Sequence, residues 1–260
     1  MTIKSIFLFA PAASADPHCG PAAYAIELAK AYAANLTLFV VNLDVTTPGR
    51  YVDPVHVGEA ISAAADAADV KCVTITEHSH SIGINEVVAE HARLHDVTIA
   101  GCSVDGILSE KSMVEYLLFE SGRPILIVPA EHRGPFRFNT VAIAWDNTSS
   151  AARALGDATS LIGAEKVIFL SIDGDKQVRG DLDHEEVLTN TLRRGLNAQF
   201  ETAACGDRSI SEALQAEAER HNADLLVMGG FGHSRLRRFV LGGATAGVLE
   251  MLSIPTLMSH

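Results

Sequence analysis

Short runs of consecutive apolar residues alternate with longer stretches whose apolar residues recur every three or four positions. The continuous runs lie near 4–10, 36–43, 72–77, 97–101 and 125–128, and again near 140–145, 166–172, 199–204, 224–228 and 255–258. Between them, helical spacing predicts helices near 20–34, 57–68, 84–94 and 110–121, then near 149–161, 182–196, 209–221 and 244–252. Strands that are apolar on both faces belong to a parallel sheet covered by helices on either side. Strict strand–helix alternation then predicts an α/β, Rossmann-like chain: two tandem, doubly wound, parallel five-stranded sheets.

The pattern is written twice. Asp96-Val-Thr-Ile-Ala-Gly101 resembles Asp224-Leu-Leu-Val-Met-Gly229, and each copy follows a helical stretch. Each copy closes on a proline-led strand, Pro124-Ile-Leu-Ile-Val128 in one and Pro255-Thr-Leu-Met258 in the other. Domains at 1–132 and 138–260 follow, with Pro129 to Pro135 between them as a short linker.

Composition narrows the function. A net charge of −12 disfavours nonspecific binding to nucleic acid or acidic membranes. No apolar stretch reaches the ~20 residues that span a bilayer, and no signal peptide is evident. Cys19, Cys72, Cys102 and Cys205 stand alone, without zinc or disulfide spacing. A reducing cytoplasm is the expected home.

Candidate chemistry concentrates in the second copy. The apolar run ending at Met228 is followed by Gly229, Gly230 and Gly232, and a second pair, Gly242-Gly243, precedes the last helical stretch at Ala244-Thr245. Bare backbone at a strand end and a helix start offers N–H groups to an anion, phosphate above all. The first copy instead reads Gly101-Cys102-Ser-Val-Asp105, with Glu110 at its helix start. Those carboxylates repel phosphate, so the second copy is the expected binder. The first strand of that copy ends at Asp146, where the first copy has Pro11. Asp146 could accept a hydrogen bond from an adenine amino group or a ribose hydroxyl; the competing reading is a helix N-cap with Asn147 or Thr148.

These residues resemble the universal stress protein family, over essentially the whole chain as two tandem domains. The resemblance rests on Gly229-x-x-Gly232-x9-Gly242, led by Met228, on Asp146 after a first strand, and on the closing Ile254-Pro255-Thr-Leu-Met. It implies a stress-response regulatory protein that binds ATP or a related adenine nucleotide, with or without magnesium. Asp146 and a residue near Ile172 would hold the base, and Met228 and Gly229 would line the ribose. Gly232, His233, Gly242, Gly243, Ala244 and Thr245 would surround the phosphates. The family places Ser or Thr after the third glycine, where this chain has Gly243. Loss of one hydrogen bond to a charged group costs roughly 1.5–3 kcal/mol. A homodimer and further protein partners are also implied.

Other candidates have plain alternatives. Arg235, Arg237 and Arg238 form a basic patch or a solvated helix face. His78 and His80 could ligate a metal but read better as a surface loop, and Trp145 reads better as core than as a base platform. No nucleophile elbow, P-loop lysine or paired carboxylates for a metal are present, so slow or absent hydrolysis is the expectation. A protein of this fold that binds partners without nucleotide is the second reading.

Overall fold

A computed structural model describes residues 3–41, 52–77, 83–102, 110–161, 163–173, 183–230 and 243–260. The chain divides into two units, Met1–Phe136 and Arg137–His260. Both are α/β layers with parallel strands.

In the first unit β1 (Ser5–Pro11), β2 (Asn35–Val41), β3 (Cys72–Glu77), β4 (Val97–Ala100) and β5 (Ile125–Ile127) lie in the order β3-β2-β1-β4-β5. Helices α1 (Gly20–Tyr32), α2 (Pro54–Ala67), α3 (Ile84–Ala92) and α4 (Glu110–Glu120) connect them. Ile6, Phe7, Leu8 and Phe9 on β1 are all buried, as a central strand covered on both faces requires. Asp53 caps α2 by accepting from the Val55 N–H, and Pro54 opens that helix.

The second unit repeats the plan. Strands β6 (Thr140–Ala144), β7 (Lys166–Asp173), β8 (Asn197–Ala204), β9 (Leu225–Gly229) and β10 (Thr256–Ser259) lie in the order β10-β9-β6-β7-β8. Helices α5 (Ser149–Leu161), α6 (His184–Arg193), α7 (Ile210–Arg220) and α8 (Gly243–Glu250) link them. One sheet face, carrying Ala142, Ile168, Leu170, Ile172 and Leu226, packs with Ala213, Leu214 and Ala218 of α7. Alternation along the strands turns Val227 and Gly229 toward the other face. There α5 buries only Ala151, Ala154 and Ala158, small residues that let it lie close. Ser209 starts α7 in a capping box with Glu212, whose carboxyl the Ser209 hydroxyl and N–H hold below the usual carboxylate range.

The aspartates that open the matching apolar runs have the same duty in both units. Asp96 accepts from the N–H groups of Lys4 (2.8 Å) and Ser5 (3.0 Å), and Asp224 accepts from that of Thr140 (2.9 Å). The backbone answers, with Asp96 N–H donating to Ser5 O and Asp224 N–H to Thr140 O. Each carboxylate thereby pins the start of one central strand to its neighbour.

The proline-bounded segment read as a linker is packed. Gly20 N–H donates to His132 O, and Tyr24 of α1 meets His132 and Phe136 edge-on at 5.5 Å each. Phe136 N–H donates to Glu27 at 2.6 Å. Gly20 has φ +59° and a Cβ there would stand 2.6 Å from Ala130 O, so this closure needs glycine. Aromatic burial against α1 outweighs the local preference of the prolines for an open connection.

Candidate functional site

In the second unit β6 has β7 on one side and β9 on the other, so the strand order reverses beside it. The carboxyl ends of β6 and β9 therefore border the crevice where open α/β sheets take ligands. Asp146 and Gly229 both stand there.

Beyond β6, Trp145 N–H continues the ladder to Leu170 O. Its ring is 9% exposed, meets Phe169 edge-on at 5.7 Å, and donates Nε1–H to Asn147 Oδ1 at 2.6 Å. Trp145 is thus core, with its polar end spent on the turn. Asn147 has φ +59°, a left-handed turn position that asparagine tolerates well. Asp146 Oδ1 accepts from the Thr148 N–H (3.1 Å) and hydroxyl (2.6 Å).

Asp146 is not the cap of α5. Thr148 is: its Oγ1 accepts from Ala151 N–H at 3.2 Å and its carbonyl from Ala152 N–H at 3.0 Å. Since Thr148 gives its one hydroxyl proton to Asp146, the 3.0 Å contact with Ser150 Oγ has Ser150 as donor. Ser150, Thr148 and Asp146 form a directed chain that ends on a carboxylate at the crevice. The carboxylate sits two residues ahead of the cap because the left-handed Asn147 intervenes.

Gly229 ends β9 against the first turn of α5. A Cβ there would stand 2.5 Å from Ser150 C and 2.6 Å from Ala151 N. Its bareness is required by the helix. Gly230 N–H donates to Ser259 O at 2.7 Å. Met228 is 4% and Ile172 8% exposed, on the α7 face of the sheet, so only their backbones face the crevice. Helix α8 starts at Gly243, followed by Ala244, with no acid in its first turn, and Thr245 there is buried. Gly247 packs on Ser211 of α7, and Gln215 of α7 accepts from Ser253 N–H just past α8. Helix α7 therefore fixes where α8 lies. Gly232, His233 and Gly242 fall outside the described residues, as do Arg235, Arg237, Arg238, His78 and His80.

The first unit fills the equivalent crevice differently. Pro11 ends β1, and Glu110, the first residue of α4, lies over Gly101 past the end of β4. Ser14, in the turn after β1, donates to Glu110 Oε1 at 2.6 Å, and Glu110 is 5% exposed. The Cys102 thiol beside it is pushed up to about 12, by burial first and by the Glu110 charge second, which leaves it unreactive. The expected repulsion from Glu110 is thus an occupied position. Asp105 lies outside the described residues.

Thr148 and Ser150 were legible as an N-terminal polar run before a helical pattern. Ser14 and Glu110 are 96 residues apart, and no local signal joins them. A cavity of about 780 Å³ opens between α5 and α6 over Trp145, Leu155 and Val187; Asp146, Gly229 and Thr245 do not line it. Among the described residues no three His, Cys, Asp or Glu side chains gather as a metal site, and no helix is long and apolar enough to cross a membrane.

Comparison with known proteins completes the picture. The model of the Universal stress protein family matches residues 137–260. A universal stress protein of Synechocystis sp. is 50% identical over 46 residues, which are 18% of this chain and 16% of that relative's length. Among solved structures, a universal stress protein from Archaeoglobus fulgidus DSM 4304 aligns with TM-score 0.65 at 17% identity, covering 97% of this chain and 95% of that one. A functionally unknown protein from Pseudomonas aeruginosa PAO1 gives 0.65 at 16% identity, covering 99% and 92%. At these identities the structural likeness is one of fold, and the sequence likeness to the family lies in the second unit. The chain is therefore similar to the universal stress protein family, by sequence through residues 137–260 and by fold over nearly its whole length.

Proposed function

We propose that the second unit binds an adenine nucleotide, ATP foremost, along the crevice between the carboxyl ends of β6 and β9, and that the chain is a cytoplasmic stress-response regulator. The observation that carries this reading is the pairing of Asp146 at the end of β6 with an acid-free helix start, Gly243-Ala244-Thr245, after β9. The carboxylate suits a base or ribose donor, and the helix start suits phosphate oxygens. Gly232, His233 and Gly242 complete the cradle on the strength of their spacing. Met228 and Ile172 take part through backbone groups, and Gly229 by letting α5 bring Asp146 close.

The sequence carries no P-loop lysine after these glycines, so binding and release with slow or absent hydrolysis is the expected role. Purified protein, dialysed, denatured and run on anion exchange, is expected to yield adenine nucleotide in amounts below or near one per chain. Protein that carries none and gives no heat with ATP up to millimolar concentrations overturns the reading.

A second reading, a partner-binding protein without nucleotide, draws on two observations. The missing side chain at Gly229 is fully explained by α5, and the Met228 and Ile172 side chains are spent on the core. Homodimer formation belongs with either reading and is checked by sedimentation.

A further inference from the structure

We infer that Glu110 is a built-in anion of the first unit: its carboxylate fills the crevice beyond β1 and β4 and closes that copy to anionic ligands. The first residues of a helix carry N–H groups without intrahelical partners and a partial positive charge, which favour a negative group. Glu110 is the acid in the first turn of α4, and its carboxylate turns toward Gly101 at the end of β4. Its Oε2 and Oε1 lie 2.8 and 3.1 Å from where a Cβ of Gly101 would stand, so glycine makes the room. Ser14 donates to it from the turn after β1.

One side chain thus ties together the three elements that border the switch point: the end of β4, the start of α4 and the turn after β1. A carboxylate with 5% exposure is costly unless its oxygens are bonded, and the Ser14 contact at 2.6 Å meets that need. The second unit, built on the same strand order, starts its corresponding helix with Gly243 and no acid in the first turn. The carboxylate that one copy supplies internally is absent from the other. The two copies therefore differ at this helix start, and Glu110 sets the difference. This inference stands on the first unit's own contacts and does not need the nucleotide reading of the second.

Equilibrium dialysis of inorganic tripolyphosphate against the full-length chain tests it, because that probe needs no base-recognition group. Glu110→Ser, which removes the carboxylate and its bulk, is expected to bind one more tripolyphosphate per chain than the parent. Glu110→Gln, which keeps the bulk and the Ser14 contact, is expected to bind the parent's number. The inference is overturned if folded Glu110→Ser binds no more than the parent, or if Glu110→Gln gains a site equally. If Glu110→Ser unfolds in ordinary buffer, tripolyphosphate should restore its circular dichroism where chloride of equal ionic strength does not; no such rescue also overturns the inference. Failure of the second unit to bind lowers parent and variant counts together and leaves their difference intact.

Discussion

Gly229 and Ala151 stand so close that a single added carbon at residue 229 would lie 2.6 Å from the Ala151 nitrogen. The end of β9 and the first turn of α5 are locked together there, and that turn is capped by Thr148, which donates to the carboxylate of Asp146. Packing at one glycine therefore sets the geometry of the crevice.

Gly229→Ala is expected to push α5 off the sheet and destabilise the second unit by about 1–3 kcal/mol, the usual range for overpacking. Trp145, the chain's one tryptophan, sits beside this turn, so its fluorescence in urea reports the loss. An unchanged midpoint would mean that the helix start yields freely.

Thr148→Ala removes the α5 cap and frees Asp146 from its hydroxyl partner. Capping losses run to roughly 0.5–2 kcal/mol, and a drop in that range is expected by the same fluorescence measurement. Thr148→Ser, which can keep both contacts, should recover most of it.

Asp224→Ala leaves the Thr140 N–H without its acceptor at the start of β6. A penalty of about 1–3 kcal/mol is expected for a backbone donor so stranded. Asp96→Ala strands two donors, those of Lys4 and Ser5, and should cost the first unit at least as much, read by circular dichroism.

Acid should weaken the first unit. His95 is 7% exposed; its Nδ1–H donates to His91 O at 2.8 Å, and its Nε2 lies 2.9 Å from the Thr37 hydroxyl, which donates to it when the ring is neutral. Burial first holds its pKa below the ordinary 6.5, opposed by the hydrogen bond to His91 O and by the Asp96 charge, while the charges of the His91 ring and Arg123 act with burial. Burial lowers His132 as well. The unfolded chain then binds more protons than the native one, so stability present above 6.5 is lost as pH falls through the lower native value. Urea midpoints of the first unit should fall on acidification from about pH 7.5 to 5, and His95→Phe should flatten that slope without abolishing it, since His132 remains. An unaltered slope in His95→Phe would place the titration elsewhere.

The strands and helices of both units were legible because apolar runs and helical spacing repeat twice, and Asp96 and Asp224 mark the same place in each. What periodicity could not show is contact at long range. Gly101 and Gly229 read alike in sequence, yet one makes room for Glu110 and the other for the first turn of α5. Pro129 to Pro135 looked like a linker because a local reading weighs turn residues and cannot see Tyr24 waiting on α1. A cap stood as the competing reading of Asp146 because sequence alone does not show the left-handed turn at Asn147, which moves the cap to Thr148.

Calorimetric titration of ATP into the full-length chain and into Asp146→Ala addresses the central claim most directly. The account expects about one nucleotide per chain and an affinity at least roughly tenfold weaker in the variant, the loss of one hydrogen bond to a charged group. Equal affinity in the two proteins, or no binding to the parent, would contradict it.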